Sequence, residues 1–233
     1  MKPSLFRSLF TVSGFTFLSR VMGLVRDIVF ASIFGATAAM DAFSVAFRIP
    51  NLFRRFFGEG AFNQAFVPVF SEVRLERTKD ELKRFLAEVS GSLGLILLLI
   101  TIIGVVFSKE MVLLFASGFA HDAAKLALTQ DLVRLMLPYL FFICMTAMYS
   151  SVLNALNKFA IPAAIPILLN IFLIGGALIS TLFVEPIIAL GYAVFIAGIC
   201  QMLILFWAVK QEGLTMMPAV NFKSPDWIIE QSN

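Results

Sequence analysis

Four stretches of this chain run for 20 residues or more without Asp, Glu, Lys or Arg: 89–108, 135–157, 159–184 and 186–209. A helix needs about 20 mostly apolar residues to cross the hydrocarbon core of a bilayer, where every backbone N–H and C=O must be bonded inside the protein. The pattern therefore restricts the chain to an all-α, polytopic membrane fold. Composition agrees, with 60% of the 233 residues hydrophobic, 14% charged and a mean hydropathy of +0.92. Two further segments, 5–34 and 38–69, are long and apolar enough to span but contain charges, which makes six expected transmembrane helices. A cleaved leader is disfavoured for the first, because its apolar stretch runs into Arg20, Arg26 and Asp27 without a small-residue cleavage site.

The same composition excludes several function classes. A net charge of +3 is too modest for a nucleic-acid module. Cys144 and Cys200 both sit in apolar runs and read as small buried side chains, and His121, the sole histidine, has no partner at metal-ligand or catalytic spacing. No metal, cofactor or enzymatic centre is expected. Lys2, Arg7, Arg74, Arg77, Lys79, Lys83, Arg84, Lys158, Lys210 and Lys223 fall on one side of the expected spans, against Lys109 and Lys125 on the other. The positive-inside rule then places both termini in the cytoplasm and the loops near Gly35, Ser117 and Glu185 outside. The mixed-sign segment 71–83 is expected to be a solvated helical extension, 109–131 an interfacial helix, and 210–233 a polar tail without a further span.

The two charged segments carry the chemistry. On a helix advancing about 100° per residue, Ser19, Arg20, Gly23, Arg26 and Asp27 fall within an arc of roughly 120°, and Thr16 extends the stripe. An arginine at the centre of a lipid-exposed helix costs about 2.5–3.5 kcal/mol, so this stripe must face the bundle or a wet cavity. Gly23 leaves room for another helix or a ligand to approach. The second segment holds Asp41, Arg48, Pro50, Asn51, Arg54, Arg55, Glu59, Asn63 and Gln64, and Pro50 is expected to kink or break its helix. Broken helices recur at midplane transport sites. Leaving out Arg7 at the amino-terminal end, the intramembrane groups of the two segments are five arginines (Arg20, Arg26, Arg48, Arg54, Arg55) against three carboxylates (Asp27, Asp41, Glu59). A buried positive surplus calls for an anion, and the planar fork of arginine suits phosphate oxygens. Snorkelling of Arg54 and Arg55, or pairing of Arg20 with Asp27 or Asp41, is the structural alternative, of equal weight for Arg48 and Arg55. Asn170, Tyr139, Tyr149, Pro162 and Pro166 are further wall candidates that helix packing explains equally well.

These residues also carry a family resemblance. The runs 19–27, 35–36, 41–43 and above all 46–68, with Arg48, Pro50, Asn51, Arg54, Arg55, Gly58, Glu59, Gly60, Asn63, Gln64 and Pro68, resemble the MviN/MurJ lipid II flippases. That family belongs to the multidrug/oligosaccharidyl-lipid/polysaccharide exporter superfamily. Weaker similarity continues through Leu153, Asn154, Ala155, Ile161, Pro162 and Ala163 to Asn221 and Phe222. The resemblance implies one six-helix lobe of a two-lobe flippase in the bacterial inner membrane. Such a flippase moves the undecaprenyl-diphosphate-linked peptidoglycan precursor, lipid II, by alternating access, without a cofactor. It implies headgroup contacts from Arg20, Arg26 and Arg54, with Ser19 and Asn51 beside them. Gating or ion-pair roles fall to Asp27, Asp41, Arg48, Arg55 and Glu59. Its implied partners are lipid II, membrane lipids and the carboxy-terminal helices that family members have and this sequence lacks, since it stops before an expected seventh span. The competing readings are a non-transporting scaffold for cell-wall assembly, a cation-coupled drug exporter of the same superfamily and a membrane-embedded transferase. The arginine surplus weighs against the exporter, and the lack of an acidic metal cluster against the transferase.

Overall fold

The computed structural model of the chain describes residues 3–55, 61–214 and 219, with side chains from 10 to 55 and from 64 onward. Among the described residues the fold is all-α, with nine α-helices and no strand. They are α1 (Pro3–Ile33), α2 (Ala38–Arg54), α3 (Ala61–Glu76), α4 (Lys79–Val106), α5 (Ser108–Phe115), α6 (Ala123–Met136), α7 (Tyr139–Ala155), α8 (Ala160–Leu178) and α9 (Ile188–Gln211). Four helical stretches are long and apolar enough to cross a membrane: α4, α6 with α7 taken as one 33-residue element, α8 and α9.

Local chemistry sets the turns. The N–H groups of Phe34 and Gly35 both donate to the Phe30 carbonyl (2.9 and 3.2 Å), and Gly35 takes φ +58, which a residue with a Cβ adopts only under strain. Thr37 then caps α2 by accepting the Met40 N–H at 3.3 Å. The mixed-sign segment is divided between two helices: α3 ends at Glu76 and α4 begins at Lys79, behind a capping box of Thr78 and Glu81.

The core lies around α7. Tyr139, Leu140, Met148, Val152 and Leu153 are almost wholly enclosed, and α9 packs along this helix with Gly198 against the Tyr139 ring. Where α8 meets α9, a Cβ on Gly176 would lie 2.7 Å from the Ala193 Cβ and 3.1 Å from the Ala189 carbonyl. Close backbone approach of this kind is how helices associate in lipid, where apolar burial gives no preference for protein over acyl chain. Gln201 on α9 donates to the Ile165 carbonyl at 3.1 Å, beside Pro166 in α8. On the outer surface, Ile96, Leu99, Ile102, Ile103 and Val106 of α4 are exposed, an apolar face fitted to lipid.

Two helices depart from expectation. Pro50 does not break α2, which continues through it to Arg54. The proline ring replaces one N–H and crowds the carbonyl four residues back, which belongs to Ala46, a small and fully buried residue. The helix expected from residue 135 begins at Ala123, with a turn at Leu137 and Pro138. Thr129, Leu132, Val133 and Met136 are buried and α6 packs along α2, so residues 123–131 of the expected interfacial helix belong to the bundle. Periodicity missed this because Lys125, Asp131 and Arg134 interrupt the apolar run.

The tail falls largely outside the described residues. Leu214 is buried, and Ala219 donates its N–H to the Ala87 carbonyl at 2.9 Å, its backbone pressed onto Gly91 of α4.

A cationic face on the first two helices

The α1 stripe has two edges with different surroundings. At one edge, Asn170 of α8, only 7% exposed, ties the helices together: its Oδ1 accepts from Arg26 Nη1 at 3.1 Å and its Nδ2 donates to the Ser19 carbonyl at 3.3 Å. Arg26 also donates through Nε and Nη2 to Asp27 Oδ1 (3.0 and 2.7 Å), and its guanidinium lies 5.9 Å from the Phe30 ring centre. Arg26 is thus held in place on three sides. At the other edge, Arg20 is exposed with no ion-pair partner among the described residues, and no atom comes within 4 Å of where a Cβ on Gly23 would stand. The close approach expected at Gly23 is not made by any described part of the chain; the space in front of it is open.

Helix α2 divides likewise. Asp41, Arg48 and Arg55 recur every seven residues, two turns apart, and all three are exposed on one side. Opposite them, Ala42, Phe43, Ala46, Ile49 and Pro50 are buried against the bundle. Arg54 is half-buried on the inner side, its charge within electrostatic reach of Tyr139 and Cys144 of α7. Asn51 is half-buried beside it. Asp41 pairs with Lys125 at the start of α6, Nζ to Oδ2 2.8 Å. Glu59 lies outside the described residues. Helix α1 meets α2 where Phe30 packs edge-on against Phe43, and no described hydrogen bond or ion pair joins the α1 stripe to Arg48, Asn51, Arg54 or Arg55.

Arg20 pairs with neither Asp27 nor Asp41, since those carboxylates are taken by Arg26 and Lys125. Arg20, Arg48 and Arg55 have no carboxylate partner among the described residues. Of the wall candidates, Asn170 belongs to the stripe, while Tyr139 and Tyr149 are buried packing residues, the latter against Phe206. Nothing in the sequence distinguishes Lys125, which reads only as an outer loop charge. Asn170 carried a signal, as the sole amide in the uncharged stretch 159–184.

These features define a polytopic, all-α membrane protein whose first two helices carry exposed arginines. The chain belongs to the lipid II flippase MurJ family, whose profile matches residues 30–228. It is 43% identical over 201 residues, 86% of its length, to a probable lipid II flippase MurJ of Buchnera aphidicola subsp. Acyrthosiphon pisum, covering 39% of that relative. It is 39% identical over 219 residues to the lipid II flippase MurJ of Burkholderia cenocepacia, covering 94% of this chain and 42% of the other. A solved structure described as lipid II flippase MurJ in an inward closed conformation matches with a TM-score of 0.73 and 32% identity, over 91% of this chain and 43% of that one. The chain spans about two fifths of the length of the relatives it matches.

Proposed function

We propose that this chain forms the amino-terminal, six-span lobe of a lipid II flippase, a transporter and not an enzyme. In this reading the cationic face of α1 and α2 receives the diphosphate of the undecaprenyl-linked precursor. The observation that carries it is the open edge of the α1 stripe: Arg20 exposed and without a carboxylate partner among the described residues, beside an unobstructed Gly23. Arg26, held by Asp27 and Asn170, presents the second guanidinium in a fixed pose, and Arg54 with Asn51 supplies a third contact from the inner side of α2. Arg48, Arg55 and Glu59 act as ion-pair partners along the path and Asp27 exchanges partners during opening, while Asp41 keeps its pair with Lys125. Family membership and the names of the relatives support this reading.

The lobe sits in the inner membrane with residues 71–83, Lys158 and Lys210 towards the cytoplasm and Gly35 outward. Grouping of Arg74, Arg77, Lys79 and Glu212 around one cavity of about 260 Å³, with Lys158 paired to Glu212 at 3.3 Å, supports a common side for these segments. Further helices would enclose the cationic face of α1 and α2 from the opposite side. A non-transporting scaffold would have its arginines paired internally, and a cation exporter would leave carboxylates open; Arg20 and the occupied Asp27 and Asp41 favour neither.

The test is a chimera in which this chain replaces the matching segment of the Burkholderia relative in cells depleted of their own flippase. Growth and normal precursor turnover are expected. A chimera inserted at the parental level that leaves the precursor in the inner leaflet would contradict the proposal.

A further inference from the structure

Lys125 occupies a place that is poor for α6 and good for α2. It lies in the first turn of α6, behind the Asp122 cap, where the helix dipole disfavours a cation. Its side chain is nevertheless only 17% exposed, with Nζ 2.8 Å from Asp41 Oδ2 and 4.2 Å from the Phe119 ring centre. Both partners compensate the unfavourable position, one by charge and one by the ring's negative face. Asp41 heads the exposed stripe that continues, two turns on, with Arg48 and Arg55, and it is the one carboxylate in that stripe. Left unpaired, it would lie about 10 Å along the helix from Arg48, close enough to cancel part of the stripe's potential and to repel an incoming anion.

From this arrangement we infer that Lys125 is a specificity-determining positioning residue: it holds Asp41 engaged on α6 so that the arginines of α1 and α2 stay open to an anionic headgroup. The inference rests on the proposed binding of a polyprenyl diphosphate. It assigns Lys125 no contact with that ligand.

The experiment measures retention of undecaprenyl diphosphate by the full chain in detergent, using native mass spectrometry. Four proteins are compared: the parent, Lys125→Gln, Asp41→Asn and the double variant, with melting temperatures recorded alongside. Lys125→Gln should bind about threefold more weakly, because it releases a competing carboxylate. Asp41→Asn should bind at least as well as the parent, and the double variant should return to the parental value. Lys125→Arg should bind as the parent does. A merely structural ion pair gives the opposite order, with Asp41→Asn as weak as Lys125→Gln and the double variant no better; that result would overturn the inference. Unchanged binding by Lys125→Gln would overturn it too while leaving the headgroup site intact. Failure of the parent itself to retain the lipid would instead remove the binding proposal on which it stands.

Discussion

Arg20 and Arg26 lie six residues apart on one helix, yet one is open and the other is clasped between Asp27 and Asn170. A lysine keeps the charge and loses the two-pronged geometry that phosphate oxygens accept, so Arg→Lys at 20, 26 or 54 should cost about 1.5–3 kcal/mol, tenfold or more in headgroup affinity. Arg→Ala should be worse at each. Arg48 and Arg55, exposed in a stripe with Asp41, should tolerate lysine. Complementation at equal protein levels, judged by immunoblot, reads both groups. Three fully active lysine variants at 20, 26 and 54 would show that only net potential matters. Asn170→Ala should act through Arg26: it removes a buried acceptor and the link to the Ser19 carbonyl, at about 1–3 kcal/mol of stability. Headgroup affinity should fall with it although Asn170 lies on another helix. The stripe itself was legible from helical spacing, because charges that cannot face lipid must gather on one side. Its division into a clasped and an open edge was not, since that depends on which distant helix docks beside Ser19 and Arg26.

At the scale of the helix, α4 offers the cleanest test of local sequence control. Thr78 accepts the Glu81 N–H at 3.3 Å while Glu81 Oε2 accepts from the Thr78 N–H and hydroxyl at 2.8 Å each. These bonds to Thr78 hold the Glu81 carboxyl below its ordinary value of 4.5. The folded state thus gains from an ionised Glu81 above about pH 4.5 and loses that gain as pH falls through the lowered folded value. Thr78→Ala should cost about 1 kcal/mol at neutral pH, read as a lower Tm, and the difference from the parent should shrink on acidification. A difference that stays constant to pH 3 would mean the box contributes nothing through charge. Gly176→Val, which drives a branched side chain into Ala193 and the Ala189 carbonyl, should destabilise the α8–α9 pair by about 1–3 kcal/mol. The apolar runs announced α4, α8 and α9 because length and hydropathy alone dictate such helices. They failed at α6, where packing on α2 decides that a charged stretch joins the bundle; of the two outcomes expected at Pro50, the break does not occur, the carbonyl four residues back belonging to the small Ala46.

For the whole molecule, basic residues far apart in sequence meet at one end of the bundle, around Arg74, Lys79 and Glu212, while Asp41, Lys125 and Gly35 mark the other. In a background with Cys144 and Cys200 replaced by serine, a cysteine at Asp80 should resist a membrane-impermeant thiol reagent in intact cells and one at Thr37 should react; the reverse would invert the proposed orientation. Headgroup recognition as proposed depends on a face of α1 and α2 that prefers anions. The most direct measurement is competitive retention of lipids by the purified chain, with undecaprenyl diphosphate, undecaprenol and a lipophilic organic cation offered together to the parent and to Arg20→Ala and Arg26→Ala. The diphosphate should be retained over the alcohol and the cation by the parent, and should lose about tenfold in either variant. Equal retention of the alcohol, preference for the cation, or undiminished diphosphate binding by both alanine variants would contradict the account.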